Sequence, residues 1–158
     1  MLVETVVSPV EQQGGLELEL LRNGRTYVSE NWRKGELGQG DEPVCAVGGL
    51  RQAALMAGCY GAVGVSKKHG WVWQDWSRNG DSSRGSSLTA MFGVEIPTGP
   101  LADATVASLN RLDASARALF PKRCKGTGLS PAINVNDHPL TSQEDVLAVF
   151  DHAIGELT

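Results

Sequence analysis

The sequence predicts a small, mainly α-helical single domain built around one buried central helix, with a short β-hairpin-like insertion. Three observations carry that prediction. Residues 43–59, Pro-Val-Cys-Ala-Val-Gly-Gly-Leu-Arg-Gln-Ala-Ala-Leu-Met-Ala-Gly-Cys, are a helix-length apolar run whose only strongly polar side chains are Arg51 and Gln52, the composition of a helix covered on nearly every side. Apolar residues recur at threes and fours after Pro100 and again after Thr141, the period of a helix with one buried face. At 158 residues the chain suits one domain, and a chain of that size buries roughly two thirds of its unfolded surface without needing a disulfide or a metal.

Taken in order, residues 1–15 read as an N-terminal tail or extended segment, and a single helical domain occupies 16–158, with about 61–99 inserted between its helical parts. Leu16, Leu18, Leu20 and Leu21 alternate with glutamates as in a strand, whereas positions 18, 21, 28 and 32 fit a helical stripe. A helix over about 16–31 is preferred, although Gly24 weakens it by about 1 kcal/mol relative to alanine. Residues 35–43 hold three glycines before Pro43 and read as a loop, with Asp41 or Glu42 as a cap and Pro43 in the first turn of the central helix. That helix runs over about 43–57 and stops at Gly58. Cys45, Gly49, Gln52, Met56 and Cys59 share one stripe of it, and Gly48 and Gly49 imply that another backbone, or a ligand, comes close to that face.

Within the insertion, Ala62–Val65 and Trp71–Trp73 flank Ser-Lys-Lys-His-Gly, as in a hairpin,. A polar Gly/Ser-rich loop follows Trp76, and Met91–Ile96 suits a short strand,. Pro100 opens a helix carrying Leu101, Val106, Leu109, Leu112, Ala116, Leu119 and Phe120, and Pro121 ends it,. Beyond the basic loop Lys122–Gly128, Ile133–Pro139 is expected to be extended or turning, because Pro139 disfavours helix at His138,. Thr141-Ser-Gln-Glu144 reads as a capping box for a last helix whose apolar face includes Val146, Phe150, Ala153 and Leu157,.

Charge is uneven along the chain: residues 1–43 carry four basic and eight acidic side chains, 44–125 ten and five, and 126–158 none and five. Either the acidic ends neutralise the middle, or Arg111, Arg117, Lys122, Arg123 and Lys125 form a basic face for an acidic partner or phosphate backbone. The net charge of −4 makes nucleic acid the less favoured partner. Three cysteines at no framework spacing fit reduced thiols in a cytoplasmic protein,. No early apolar run follows a basic start, and no stretch of eighteen apolar residues occurs, so neither secretion nor membrane insertion is expected.

A group of motifs in fixed order carries a family resemblance: Leu20-Leu21, Trp32-x-Lys34-Gly35-x-Leu37, Cys45-Ala-Val-Gly-Gly-Leu50 with Ala53-Ala54, Val135-Asn-Asp137, and Thr141-x-x-Glu144-Asp-Val-Leu147. With these the chain resembles a family of small uncharacterised domains of actinobacteria and their phages. The resemblance implies a compact, mostly helical fold and, as its setting, a phage-encoded protein acting on a host component. It transfers no activity.

Four constellations compete for a functional role. Cys45 near a helix start, with His138 as base and Asp137 or Asn136 as orienting group, has the residue types of a cysteine hydrolase or transferase; the alternative is a core thiol beside turn-forming Asn and Asp side chains. Trp71, Trp73 and Trp76 beside Lys67, Lys68, His69 and Arg78 combine stacking faces with positive charge, as a recognition surface for a protein partner, or for bases or nucleotides, would; the alternative is that the rings cover one end of the core. The basic 111–125 region supplies a third reading, nucleic-acid binding. Cys45, Cys59, Cys124 and a histidine have the ligand types of a metal site but no paired spacing, so neither metal nor other cofactor is expected. No phosphate-loop, dinucleotide, nucleophile-elbow or zincin motif occurs,. A non-enzymatic accessory or protein-interaction domain is therefore the leading expectation.

Overall fold

The computed structural model describes residues 8–34, 44–74, 96–126 and 128–158. Among them are five α-helices and one two-stranded antiparallel hairpin, a small mainly α fold. The expected loop at 35–43 with its caps, the Gly/Ser-rich run after Trp76, all of the expected strand Met91–Ile96 but its last residue, and Trp76 and Arg78 themselves lie outside the described residues.

Helix α1 spans Pro9–Asn31 and so takes in half of the segment expected as a tail. The reason is local: Ser8 caps it, its hydroxyl accepting from the N–H of Glu11 at 3.2 Å, and Pro9 occupies the first turn, where its missing N–H costs nothing. Burial of Glu17, Leu20, Leu21 and Val28 settles the ambiguous period as helical. Helix α2, Ala46–Met56, is the central buried helix, but it starts three residues after Pro43. Val44 is held instead in a parallel bridge to Trp32, its N–H donating to Asn31 O at 2.8 Å and its carbonyl accepting from Arg33 N at 2.9 Å. Cys45 is thus the cap and not a helical residue; of the expected stripe Cys45, Gly49 and Cys59 are buried, whereas Gln52 is half-buried and Met56 points to solvent.

What approaches Gly49 of α2 is α1. A Cβ placed on Gly49 would lie 2.7 Å from Val28 Cγ2 and 2.8 Å from the carbonyl oxygen of Gly24. One placed on Gly24 would lie 3.1 Å from a ring carbon of Phe150 and 3.3 Å from Leu50 backbone atoms. The two glycines let the helix backbones meet, which offsets their poor helix propensity.

Strands β1, Ala62–Ser66, and β2, Gly70–Gln74, pair in register Val63 with Trp73 and Val65 with Trp71. The turn between them needs Gly70, whose φ is +66° and whose missing Cβ makes room for Asn110. Helix α3, Pro100–Leu119, follows Gly99 at φ +100° and ends at a single 3-10 turn, Pro121–Arg123.

Helix α4, Pro131–Asp137, corrects the expected extended segment. Ser130 caps it, accepting from Ile133 N at 3.3 Å, and Pro131 fills the first turn. Only His138, directly before Pro139, leaves the helical region, at ψ 137°, as the clash with a following proline requires. Helix α5, Gln143–Gly155, buries Val146, Val149, Phe150 and Ala153. Its capping box is Ser142 with Asp145, one residue later than the expected Thr141 with Glu144: Ser142 Oγ accepts from Asp145 N at 3.2 Å and Asp145 Oδ2 accepts from Ser142 N at 3.1 Å. Thr141 is buried, and its hydroxyl accepts instead from Arg123 at 3.3 Å. The core lies where α1 packs on α2, α3 and α5, with the hairpin docked on α3. Among the described residues no helix is long and apolar enough to cross a membrane.

Candidate functional site

The conspicuous residues of the sequence sort into two places. The first is a latch around Asn136, which is 1% exposed. Its Oδ1 accepts from Trp32 Nε1 at 2.7 Å and from the N–H of Ala46, the first residue of α2, at 3.0 Å; its Nδ2 donates to Asp137 Oδ1 at 3.0 Å. Lys34 Nζ donates to the carbonyls of His138, at 2.6 Å, and Pro139, at 3.4 Å. Three stretches far apart in sequence, 32–34, 44–46 and 136–139, are tied by these bonds.

Cys45 sits beside that latch, with Sγ accepting from Gly48 N at 3.3 Å as the cap of α2. Burial, the dominant influence, pushes its thiol up, and the nearby Asp137 charge pushes the same way; the N–H groups of the helix start pull less strongly against them. His138 Nδ1 accepts from Leu140 N at 3.1 Å, and among the described residues no hydrogen bond joins His138 to Cys45. A buried, protonated thiol doing a capping job is poorly placed as a nucleophile.

The tryptophans are also structural where they are described. Trp71, 1% exposed, belongs to the core rather than to a recognition surface. Its indole N–H donates to Asp113 Oδ2 at 2.9 Å, and its backbone exchanges bonds with the Asn110 amide, N–H to Oδ1 at 2.8 Å and Nδ2 to O at 3.2 Å. Trp73 is half-buried and donates to Ala102 O at 3.0 Å. These bonds fasten the hairpin to α3.

That fastening creates the second place, a groove. Docking β2 on α3 carries the hairpin turn, with exposed Lys67 and Lys68, over the last turns of α3. Across from it lie residues 124–126 and 128–129, gathered around the Asn134 side chain, which donates to Cys124 O and Gly128 O at 2.8 Å each and accepts from Gly128 N at 3.1 Å. A Cβ on Gly126 or Gly128 would fall 2.7 or 2.9 Å from Asn134 Oδ1, so both glycines are required by that wrapping. Between turn and loop lie a cavity of about 590 Å³ bordered by Arg117, Cys124, Lys125, Leu129 and Pro131 and one of about 350 Å³ bordered by Lys68, Asn110 and Asp113. Both are also bordered by Lys67, Arg117 and Leu129, so they form one continuous groove.

The groove is basic. Among the described residues Lys67, Lys68, Arg117 and Lys125 make no salt bridge, and Asp113 beneath them is already committed: Oδ1 accepts from Ser130 Oγ at 2.6 Å and Ala132 N at 3.0 Å, Oδ2 from Trp71. Burial raises the Asp113 carboxyl pKa, with Ser130, Ala132, Trp71 and the Arg117 charge opposing. Cys124 forms part of the wall, its thiol donating to Phe120 O at 3.3 Å and pushed up by burial. The expected basic face over 111–125 is therefore divided. Arg111 turns inward to the buried Glu17, with Glu156 at 3.5 Å, and Arg123 pairs with Asp145 at 3.0 Å and covers the Phe120 ring; Arg117 and Lys125 remain for the groove, joined there by Lys67 and Lys68. No three His, Cys, Asp or Glu side chains gather to suit a metal among the described residues.

A family model matches residues 16–156. The chain belongs to DUF6197, a family of unknown function. No curated protein and no solved structure matches it. In this DUF6197 chain the matched span takes in both the Asn136 latch and the groove. Asn110, Asp113 and Asn134, which build the groove, were not singled out in the sequence. Asp113 had one visible signal, a carboxylate next to Leu112 within the apolar repeat of α3.

Proposed function

We propose that the chain is a non-enzymatic protein-interaction domain that works through the basic groove, in an accessory role and in a reducing cytoplasm where its three free thiols persist,. The observation that carries this reading is the gathering of Lys67, Lys68, Arg117 and Lys125 around one cavity with no salt bridge among the described residues. Four like charges, offset only in part by the Asp113 carboxylate that Arg117 faces, repel one another and favour an acidic partner that neutralises them. Their polar neighbours are spent on the fold: Asn110, Asp113 and Asn134 all have internal partners. Among the described residues the groove floor offers neither a free base nor an activated nucleophile, which favours binding over transformation. A phage-encoded protein directed at a host component is the setting this reading favours.

The test is amine-reactive cross-linking in cells that produce the chain, with cross-linked peptides read by mass spectrometry. The expected result is one partner linked to Lys67, Lys68 or Lys125 and lost from a Lys67→Glu/Arg117→Glu chain. A partner joined only through lysines outside the groove, retained by that variant, would overturn the reading.

A further inference from the structure

Resting on that reading, we infer that the groove takes an extended acidic segment of the partner, a peptide of alternating carboxylate and apolar side chains. The charges are ordered along the groove: Lys68 borders only the narrower cavity, Lys125 only the wider one, and Lys67 and Arg117 border both. Positive charge is thus presented at three successive stations, which suits a linear polyanion rather than a single compact anion. The wider part is walled by Pro121, Leu129 and Pro131, and Leu129 is 47% exposed. An apolar side chain between two carboxylates would cover it.

The same features disfavour nucleic acid as the occupant. Among the described residues no aromatic side chain borders either cavity, whereas single strands are held by bases stacked on aromatic rings. Trp71 and Trp73 point their indole N–H groups into α3, and Phe120 lies under Arg123. The net charge of −4 opposes any long phosphate backbone beyond the groove,. Carboxylates and apolar side chains in alternation match both the cations and the walls.

The probe is a fluorescein-labelled peptide alternating glutamate and leucine, titrated with the full chain and followed by fluorescence anisotropy. Binding should be saturable and weaken with added salt, as a contact dominated by charge does. Lys67→Glu/Lys125→Glu should raise Kd about tenfold or more, with circular dichroism and melting unchanged because both side chains are exposed. Arg22→Glu, the same type of charge reversal on α1 away from the groove, should leave Kd unaltered, and a serine-leucine peptide should not bind. Equal weakening by Arg22→Glu, no saturable binding, or tighter groove-dependent binding of oligothymidylate would overturn the inference. If the cellular cross-link still maps to the groove lysines while the peptide fails, the interaction-domain reading survives and only the acidic occupant falls.

Discussion

Replacing Gly49 by alanine tests the contact on which the packing of α1 and α2 depends. On helix propensity alone Gly49→Ala in the interior of α2 should stabilise the protein by about 1 kcal/mol. The new methyl, however, would sit 2.7 Å from Val28 Cγ2 and 2.8 Å from Gly24 O. The valine can rotate, but the carbonyl is backbone and moves only if α1 moves. Overpacking of this kind costs about 1–3 kcal/mol, and the backbone contact puts this site near the upper end. The two effects leave a net loss of about 1–2 kcal/mol, a fall in Tm of about 2–8 °C for a domain of this size. Gly14→Ala provides the control, since a Cβ there meets nothing within 4 Å; with propensity unopposed, it should gain about 0.5–1 kcal/mol. Both are read by thermal and urea unfolding followed by circular dichroism. If Gly49→Ala melts at or above the wild-type temperature, the close approach of the two helices is wrong.

Two further predictions concern the latch and the last cap. Asn136→Ala leaves Ala46 N–H and Trp32 Nε1–H without the acceptor they share; at about 1–3 kcal/mol for each stranded donor, a total loss of about 2–6 kcal/mol is expected, seen as a lower urea midpoint at unchanged slope. Asp145 is held below the usual carboxylate range, first by the Ser142 N–H and then by Arg123. A lowered folded pKa contributes stability above the unfolded value, near 4, which is lost as pH falls through the folded value; Asp145→Asn should therefore flatten the decline in Tm on acidification below about pH 4. An unchanged acid limb would show that the Ser142–Asp145 box contributes no pH dependence.

The sequence reveals elements whose signals are local and hides those decided by tertiary contacts. The hairpin, α3 and α5 are legible because strand alternation around a Lys-Lys-His-Gly turn and helical repeats after Pro100 and Thr141 depend on near neighbours. Two overlapping capping patterns precede α5, Thr141 with Glu144 and Ser142 with Asp145, and both are chemically sound. Arg123, bonding Thr141 from a distant turn and pairing with Asp145, selects the second. The starts of α1 and α4 carry a common signal, Ser8-Pro9 and Ser130-Pro131, which is readable once the serine is taken as cap and the proline as first turn. The groove was half legible: Lys67 and Lys68 stood out beside the tryptophans, Arg117 and Lys125 in the basic stretch. Their meeting depends on Trp71 reaching Asn110 and Asp113 across about 40 positions of chain, which no periodicity encodes,.

Thiol chemistry provides the most direct test of the central claim, that binding belongs to the groove and that Cys45 belongs to the core. Cys45 and Cys59 are buried, whereas Cys124 is partly exposed in the groove wall. Iodoacetamide alkylation of the native chain, mapped by mass spectrometry, should modify Cys124 first, leave Cys45 and Cys59 intact until unfolding, and slow at Cys124 when the glutamate-leucine peptide is bound. Alkylation of Cys45 ahead of Cys124, at a rate indifferent to the peptide, would contradict the account.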